Sequence, residues 1–123
     1  MAEIKKKTLA QTYKHQRGWG HEVWVENIPE YCGKFLHVTK GKCGSLHFHM
    51  NKTETMYLLS GKVRLRLIDP EKGAYYFVDL EPGDSILIPQ GQVHQIGAEE
   101  DSVIIEFSTM HEETDSYRVE KGN

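Results

Sequence analysis

Residues 45–61 read SLHFHMNKTETMYLLSG, and this stretch decides the fold. It predicts two short strands, 45–49 and 55–59, joined by a polar turn at 50–53 and ended by Ser60-Gly61. Side chains two residues apart on a strand face the same side. The imidazoles of His47 and His49 therefore point into one space from the first strand.

The rest of the chain shows the same kind of pattern. Further strands are predicted at 21–26, 34–39, 63–68, 75–80, 85–88, 93–96 and 103–107. Turn residues rich in Gly, Pro and Asp separate them, and no helical pattern of convincing length is present. About nine short strands with tight turns predict an all-β fold: a small sandwich, a jelly roll or a closed barrel.

Composition limits the class of protein. A chain of 123 residues with 38% hydrophobic residues predicts a single domain over residues 1–123, with the polar, basic residues 1–16 as an N-terminal arm. The net charge of −3 does not suit a nucleic-acid partner. No apolar run is long enough to span a membrane, and residues 1–10 lack the apolar core of a signal peptide. These features, with only two cysteines, lead us to expect a cytoplasmic protein.

Two further residues extend the histidine pair into a candidate metal site. Glu54 begins the strand that follows the 50–53 turn, and His94 follows Pro89-Gln90-Gly91 on a second hairpin. Three imidazole nitrogens and one carboxylate oxygen favour one divalent ion of Zn, Mn, Fe, Ni or Co over Ca or Mg. A His-x-His pair on a strand also occurs without any metal, so residue type alone leaves both interpretations open.

The glycines and prolines around these residues have a recognisable spacing. Gly41-x5-His47-x-His49-x4-Glu54-x6-Gly61 is followed by Gly83-x5-Pro89-x-Gly91-x2-His94. This frame, within residues 17–118, resembles both signature motifs of the cupin superfamily. The resemblance implies a double-stranded β-helix, or jelly-roll barrel, with His47, His49, Glu54 and His94 around one divalent metal at its mouth. Ala98 stands where an Asn is common.

A narrower resemblance concerns the activity. Lys34, the segment from Lys40-Gly41 to Leu46, and residues 115–118 (DSYR) are similar to the cupin domain of type II phosphomannose isomerases. That likeness implies an aldose–ketose isomerisation of a sugar or sugar phosphate. The sequence departs from the pattern at four positions near the pocket. They are His47 for Gln, Lys52 for Arg, Thr55 for His and Gln95 for Arg.

An isomerase of this kind needs a base and, for a phosphorylated sugar, fixed cations. The candidate bases are Glu106, His37 and Tyr57. Glu106 can also be interpreted as an outward, solvated glutamate, because Val103, Ile105 and Phe107 alternate around it. The substrate-binding candidates implied by the resemblance are Lys34, Lys52 and Arg118.

Two other functions stay open at the level of sequence. An Fe- or Mn-dependent dioxygenase of small molecules would use the same ligands but an apolar pocket. A non-catalytic carbohydrate-binding cupin would need no titratable group beyond the ligands. In each case the partner is a small molecule. We also expect a homodimer, in which apolar residues opposite the ligand face are covered; the candidates are Trp24, Leu46 and Phe48.

Overall fold

The computed structural model describes residues 3–123, so Met1 and Ala2 of the expected arm lie outside the described residues. This part of the chain holds eleven strands, one short 3-10 helix at Leu9–Gln11 and no α-helix. The strands are β1 Tyr13–Arg17, β2 Gly20–Ile28, β3 Tyr31–Val38, β4 Leu46–Phe48, β5 Glu54–Ser60, β6 Val63–Ile68, β7 Tyr75–Leu80, β8 Ser85–Ile88, β9 His94–Ala98, β10 Ser102–Ser108 and β11 Tyr117–Glu120.

The strands form two antiparallel sheets that pack face to face. One sheet has the order β1-β2-β3-β10-β5-β8, and the other has the order β11-β4-β9-β6-β7. The all-β jelly-roll expectation is confirmed. All nine predicted strands are present, and β1 and β11 are additional. Residues 13–16 of the expected arm therefore belong to the sheet, because β1 pairs with β2.

The core lies between the sheets and follows the two-residue period of the strands. Inward positions on β3, β5 and β10 are buried, while their neighbours face outward. The buried core residues are Leu36, Val38, Met56, Leu58, Val63, Leu65, Leu67, Leu80, Ile88, Ala98 and Ile104. They occupy one part of the interior, which leaves the other part to polar side chains.

Two of the frame glycines hold backbone conformations that L side chains rarely adopt. Gly61 has φ +94° and Gly91 has φ +80°. A Cβ at Gly61 would overlap the Ser102 side chain and the Asp101 carbonyl, whereas a Cβ at Gly91 would meet open space. The Gly91 amide also donates to the His49 carbonyl at 2.7 Å, which ties the second turn to the strand that carries the histidines.

These two positions give a matched stability test. Gly91→Ala should lower the free energy of unfolding by about 1–2 kcal/mol, the cost of a left-handed conformation for a residue with a Cβ. Gly61→Ala should cost about 3–4 kcal/mol, because steric overlap adds to the same strain. Urea unfolding of both variants measures the difference. Equal losses would contradict the close approach at Gly61.

Candidate metal centre

The four metal-ligand candidates come from three strands of both sheets. His47 on β4 lies directly opposite His94, the first residue of β9. His49 follows the end of β4, and Glu54 opens β5 in the other sheet. The ligand nitrogens of the three histidines all lie within 4.8 Å of one another. The Glu54 Oε1 atom lies 2.8 Å from His94 Nε2.

The backbone fixes which nitrogen each imidazole offers. The Nδ1 atoms of His47, His49 and His94 lie 2.9, 2.7 and 2.8 Å from the carbonyls of residues 45, 115 and 92. A carbonyl oxygen only accepts, so each Nδ1 carries a proton and donates it. The Nε2 lone pairs are then free to face one another, which is the orientation of metal-binding histidines.

One contact in the site requires a cation. Glu54 Oε1 and His94 Nε2 are buried, and neither has another hydrogen-bonding partner within residues 3–123. With Nδ1 donating to a carbonyl, a neutral His94 presents a lone pair to a carboxylate lone pair. Two buried acceptors facing each other are costly unless a proton or a metal ion lies between them. The three histidines can thus hold one divalent metal ion, and the fourth donor suits it.

The protonation of the imidazoles differs in a way that follows from burial and charge. Burial and neighbouring His94 lower the pKa of His47 to about 4. Burial, together with Lys52, lowers the pKa of His49. Burial also disfavours the charged form of His94, but the hydrogen bond and charge of Glu54 outweigh it and raise the pKa of His94. The proton that a metal ion must displace is therefore the one between His94 and Glu54.

Behind these residues lies a buried cluster built on Lys52. Its ammonium lies 3.2 Å from Glu54 Oε2, 3.2 Å from Glu106 Oε2 and 3.2 Å from His111 Nδ1. Burial alone would lower the pKa of Lys52, but the two carboxylates outweigh it and raise the pKa. An ammonium has three protons, and here each has an acceptor. Lys52 thus has no proton left for a phosphate, which corrects its expected role as a substrate ligand.

Glu106 faces inward, so its interpretation as an outward, solvated glutamate is wrong. Its neighbours Val103, Ile105 and Phe107 occupy the outer face, while Glu106 shares the inner face with Ile104 and is only 5% exposed. Burial and the charge of Glu54 raise the pKa of Glu106. The sequence pattern was two-residue alternation, but the inward side of the strand carries a charge here because Lys52 meets it.

A second buried ion pair lies beside the first. Lys34 on β3 is 3% exposed, and its Nζ lies 3.5 Å from Glu22 Oε1 and 4.1 Å from the centroid of the Trp24 ring. The other carboxylate oxygen of Glu22 accepts from Arg17 at 2.6 Å. Burial alone would raise the pKa of Glu22, but Lys34 and Arg17 outweigh it and lower the pKa. Trp24 therefore points inward and does not belong to the outer apolar face where we expected it.

The metal-ligand candidates and both ion pairs line one cavity of about 720 Å³. Its lining includes His47, His49, Glu54, His94, Glu22, Lys34, Lys52, Glu106, His111 and Arg118. Arg118 is exposed and pairs with His47 across β11 and β4, so it lies next to a metal-ligand candidate. The part of the lining around the histidines is polar and charged, and the lining from Leu36, Val38 and Met56 is apolar.

Two of the three candidate bases do not reach this cavity. His37 and Tyr57 face outward, since the inward positions of their strands are Lys34, Leu36 and Val38 on β3 and the even-numbered residues of β5. The His37 ring stacks on His21 with centroids 4.3 Å apart. Neither side chain lines the cavity. The expectation that His37 or Tyr57 acts as the base is therefore corrected by the parity of the strands.

The sequence interpretation missed the segment that closes the site. The Asp115 carboxylate accepts from the amides of Met50, Asn51 and Lys52 at 2.8–3.1 Å, and its carbonyl is the partner of His49. This carboxylate caps the turn that leads from the histidines to Glu54. The only local signal was the likeness of residues 115–118 to a family pattern, which gave no hint of the contact.

Comparison with known proteins agrees with this architecture. The family model described as Cupin matches residues 4–120, so the chain belongs to the cupin family. A variant of oxalate decarboxylase from Bacillus subtilis superposes with a TM-score of 0.82 at 18% identity, covering 97% of this chain and 34% of that one. The capsular polysaccharide assembling protein CapF from Staphylococcus aureus gives 0.78 at 20% identity, covering 89% and 34%.

The chain thus spans about a third of the length of these structures, and at such identities the likeness shows the fold. No curated protein matches the sequence. Within residues 3–123, no helix has both the length and the apolar character needed to cross a bilayer.

Metal binding should release one proton from the protein. Because His47 and His49 are neutral near pH 7 while His94 holds a proton against Glu54, the ion displaces only that proton. The logarithm of the apparent association constant for Co²⁺ should therefore rise by about one per pH unit from about pH 5.5 up to the raised pKa of His94. Titrations at a series of pH values measure this slope.

The control is His94→Ala, which removes both the proton and one ligand. It should bind Co²⁺ far more weakly, with a slope near zero over the same range. In the metal-free wild type, the His94–Glu54 contact stabilises the fold below about pH 6.5 and is lost as the pH rises through the raised pKa. A slope near zero in the wild type would contradict the proton assignment.

Proposed function

We propose that this chain is a metal-dependent, isomerase-like enzyme that interconverts an aldose and a ketose, of the mannose-6-phosphate isomerase type. The observation that carries the proposal is Glu106, a buried carboxylate held by Lys52 next to the candidate ligand Glu54. Isomerisation needs a base that moves one proton between two adjacent carbons. Glu106 is the one candidate base of the sequence that lines the cavity.

The chemistry divides between the ion and the chain. A divalent ion held by His47, His49, Glu54 and His94 would supply a Lewis acid that polarises a carbonyl and favours negative charge on nearby oxygens. Glu106 removes the proton from C2 of the aldose and returns it to C1, while a proton passes from O2 to O1. No atom is gained or lost. The carboxyl begins and ends the cycle ionised.

The surroundings of Glu106 suit this work. Burial and the charge of Glu54 raise the pKa of Glu106, and a base is most effective when its pKa approaches the working pH. Lys52 holds one Glu106 oxygen at 3.2 Å, which fixes the carboxyl on the cavity wall. A base fixed in this way spends little conformational entropy in reaching its proton.

The polarity of the cavity favours a sugar over the competing substrates. An Fe- or Mn-dependent dioxygenase of aromatic or sulfur compounds would need an apolar pocket, whereas Glu22, Lys34 and Glu106 line this one. A non-catalytic carbohydrate-binding cupin would need no titratable group beyond the metal ligands. The buried Glu106 favours catalysis over binding alone.

A phosphate on the substrate would meet Lys34 and Arg118. Lys34 lines the cavity, and its ion pair with Glu22 at 3.5 Å leaves protons for a ligand. Arg118, at the mouth, has no ion pair with another of residues 3–123. A guanidinium there can hold a phosphate through two parallel hydrogen bonds.

The experiment is a turnover assay of Mn²⁺- or Co²⁺-loaded protein on aldoses and aldose phosphates in D₂O. The wild type should convert at least one aldose and place deuterium at the transferred position. Glu106→Gln keeps the shape of the side chain but cannot take a proton, so turnover should fall by about 10²–10⁴-fold with metal content retained. Nuclear magnetic resonance of the product measures both conversion and deuterium.

The matched control is Glu99→Gln, the same substitution at a half-exposed surface glutamate that pairs with Lys62. Its turnover should stay at the wild-type level. Full activity of Glu106→Gln would exclude Glu106 as the base. Failure of the wild type on every aldose would favour the carbohydrate-binding or dioxygenase alternatives.

We also propose a homodimer formed through the outer face of the six-stranded sheet. The expected residues Leu46 and Phe48 do not form this surface, because Leu46 is fully buried and Phe48 stacks on Tyr117. The outward positions of β8, β5, β10 and β3 carry no Asp, Glu, Lys or Arg; they are Ser85, Leu87, Thr55, Tyr57, Leu59, Val103, Ile105, Phe107, Gly33, Phe35 and His37. An uncharged surface suits a two-fold interface, where each patch meets its own copy.

Two exposed phenylalanines test this assignment. Phe107 lies in the outer face and is 56% exposed, and Phe77 on β7 of the other sheet is 57% exposed. Phe107→Arg should convert the dimer to a monomer, because two arginines would be buried in one interface. Phe77→Arg should leave the dimer intact. Light scattering at micromolar concentration distinguishes the two, and a monomeric wild type would exclude the dimer. The cytoplasm remains the proposed location.

A further inference from the structure

His111 occupies the cavity wall but has no role in the site described so far. It lies in the segment between β10 and β11, 10% exposed, and its ring centroid is 6.3 Å from that of His49. The ring edge packs against Trp24 with centroids 5.1 Å apart. His111 therefore stands between the metal-ligand candidates and the Glu22–Lys34 pair.

The contact with Lys52 fixes the protonation of the ring. An ammonium can only donate, so the 3.2 Å contact between Lys52 Nζ and His111 Nδ1 makes Nδ1 the acceptor. The ring proton must then be on Nε2. Burial, reinforced by the charges of Lys34 and Lys52, lowers the pKa of His111 to about 3, so the imidazole stays neutral at working pH.

The backbone of His111 is clamped as well. The Asn27 side chain accepts from the His111 amide at 2.8 Å and donates to its carbonyl at 3.0 Å. An amide that makes both bonds holds one residue much as a neighbouring strand would. The ring is thus fixed at its backbone, at its Nδ1 atom and along one edge.

The donor that remains has no protein acceptor. The nearest carboxylate oxygen to His111 Nε2 is that of the exposed Glu113, at 3.7 Å, which is beyond the range of a hydrogen bond. A rigid N–H on the wall of a polar cavity can donate to a ligand without reorganising, which is the condition under which such donors stabilise developing charge best.

We propose that His111 contacts the substrate directly, donating a hydrogen bond from Nε2 to a substrate oxygen on which negative charge builds up. This inference rests on the proposed function, in which a hydroxy-carbonyl compound occupies the cavity. It assigns the ligand an oxygen acceptor on the side of the cavity away from β9. It also makes the ring a neutral donor, not a base.

The experiment measures binding of glycolohydroxamate to the Co²⁺-loaded full chain, since this chelator resembles a two-carbon enediolate. His111→Phe keeps a flat ring without a donor and should weaken binding by about 10–100-fold, the range for a hydrogen bond to a charged oxygen. His111→Gln restores an N–H donor and should recover part of that loss. The Co²⁺ affinity and the absorption spectrum of the probe-free protein should not change.

Two other variants sharpen the test. His21→Phe, the same substitution on the outer face, should bind the probe as the wild type does. Asn27→Ala frees the His111 backbone and should weaken binding by a smaller factor, which keeps the test valid should His111→Phe fold poorly. Unchanged affinity in His111→Phe, equal loss in His111→Phe and His111→Gln, or no binding by the wild type would overturn the proposal. Failure of the isomerase proposal appears separately, in the turnover assay.

Discussion

The buried ammonium of Lys52 holds the polar half of this barrel together. It is 4% exposed and takes one acceptor for each of its protons, namely Glu54, Glu106 and His111. Removing a charge from water costs several kcal/mol unless partners compensate it, so none of these contacts is dispensable. The same cation separates two carboxylates that would otherwise repel each other. A candidate ligand, a candidate base and a candidate donor thus take their positions from one side chain.

Much of this arrangement could be predicted from sequence where local geometry decides it. The positive φ at Gly61 and the shared face of a His-x-His pair follow from the chain itself. Strand parity would also have excluded Tyr57, because it lies three residues after Glu54 and so faces the opposite side. The same count from Lys34 excludes His37. These two errors came from weighing residue type before the face of the strand.

Other features depend on contacts that no local pattern reveals. Glu106 is inward and charged because Lys52, 54 positions away, reaches it from a turn. Residues 111–118 read as a polar, acidic stretch, yet the segment is ordered by Asn27, 84 positions before His111, and by the turn amides that Asp115 caps. Such pairings set the finer geometry of the cavity, and only the three-dimensional structure supplies them.

The bond between His49 and the Asp115 carbonyl has a consequence for the order of events during synthesis. Its partners lie 66 positions apart, and the carboxylate of the same aspartate caps the turn before Glu54. Contacts this distant form late, after the loop between them has closed. A chain still emerging from the ribosome carries His47, His49 and Glu54 long before residue 115 is available. The growing chain is thus protected from trapping the wrong ion, since the finished geometry exists only once nearly the whole polypeptide has been made.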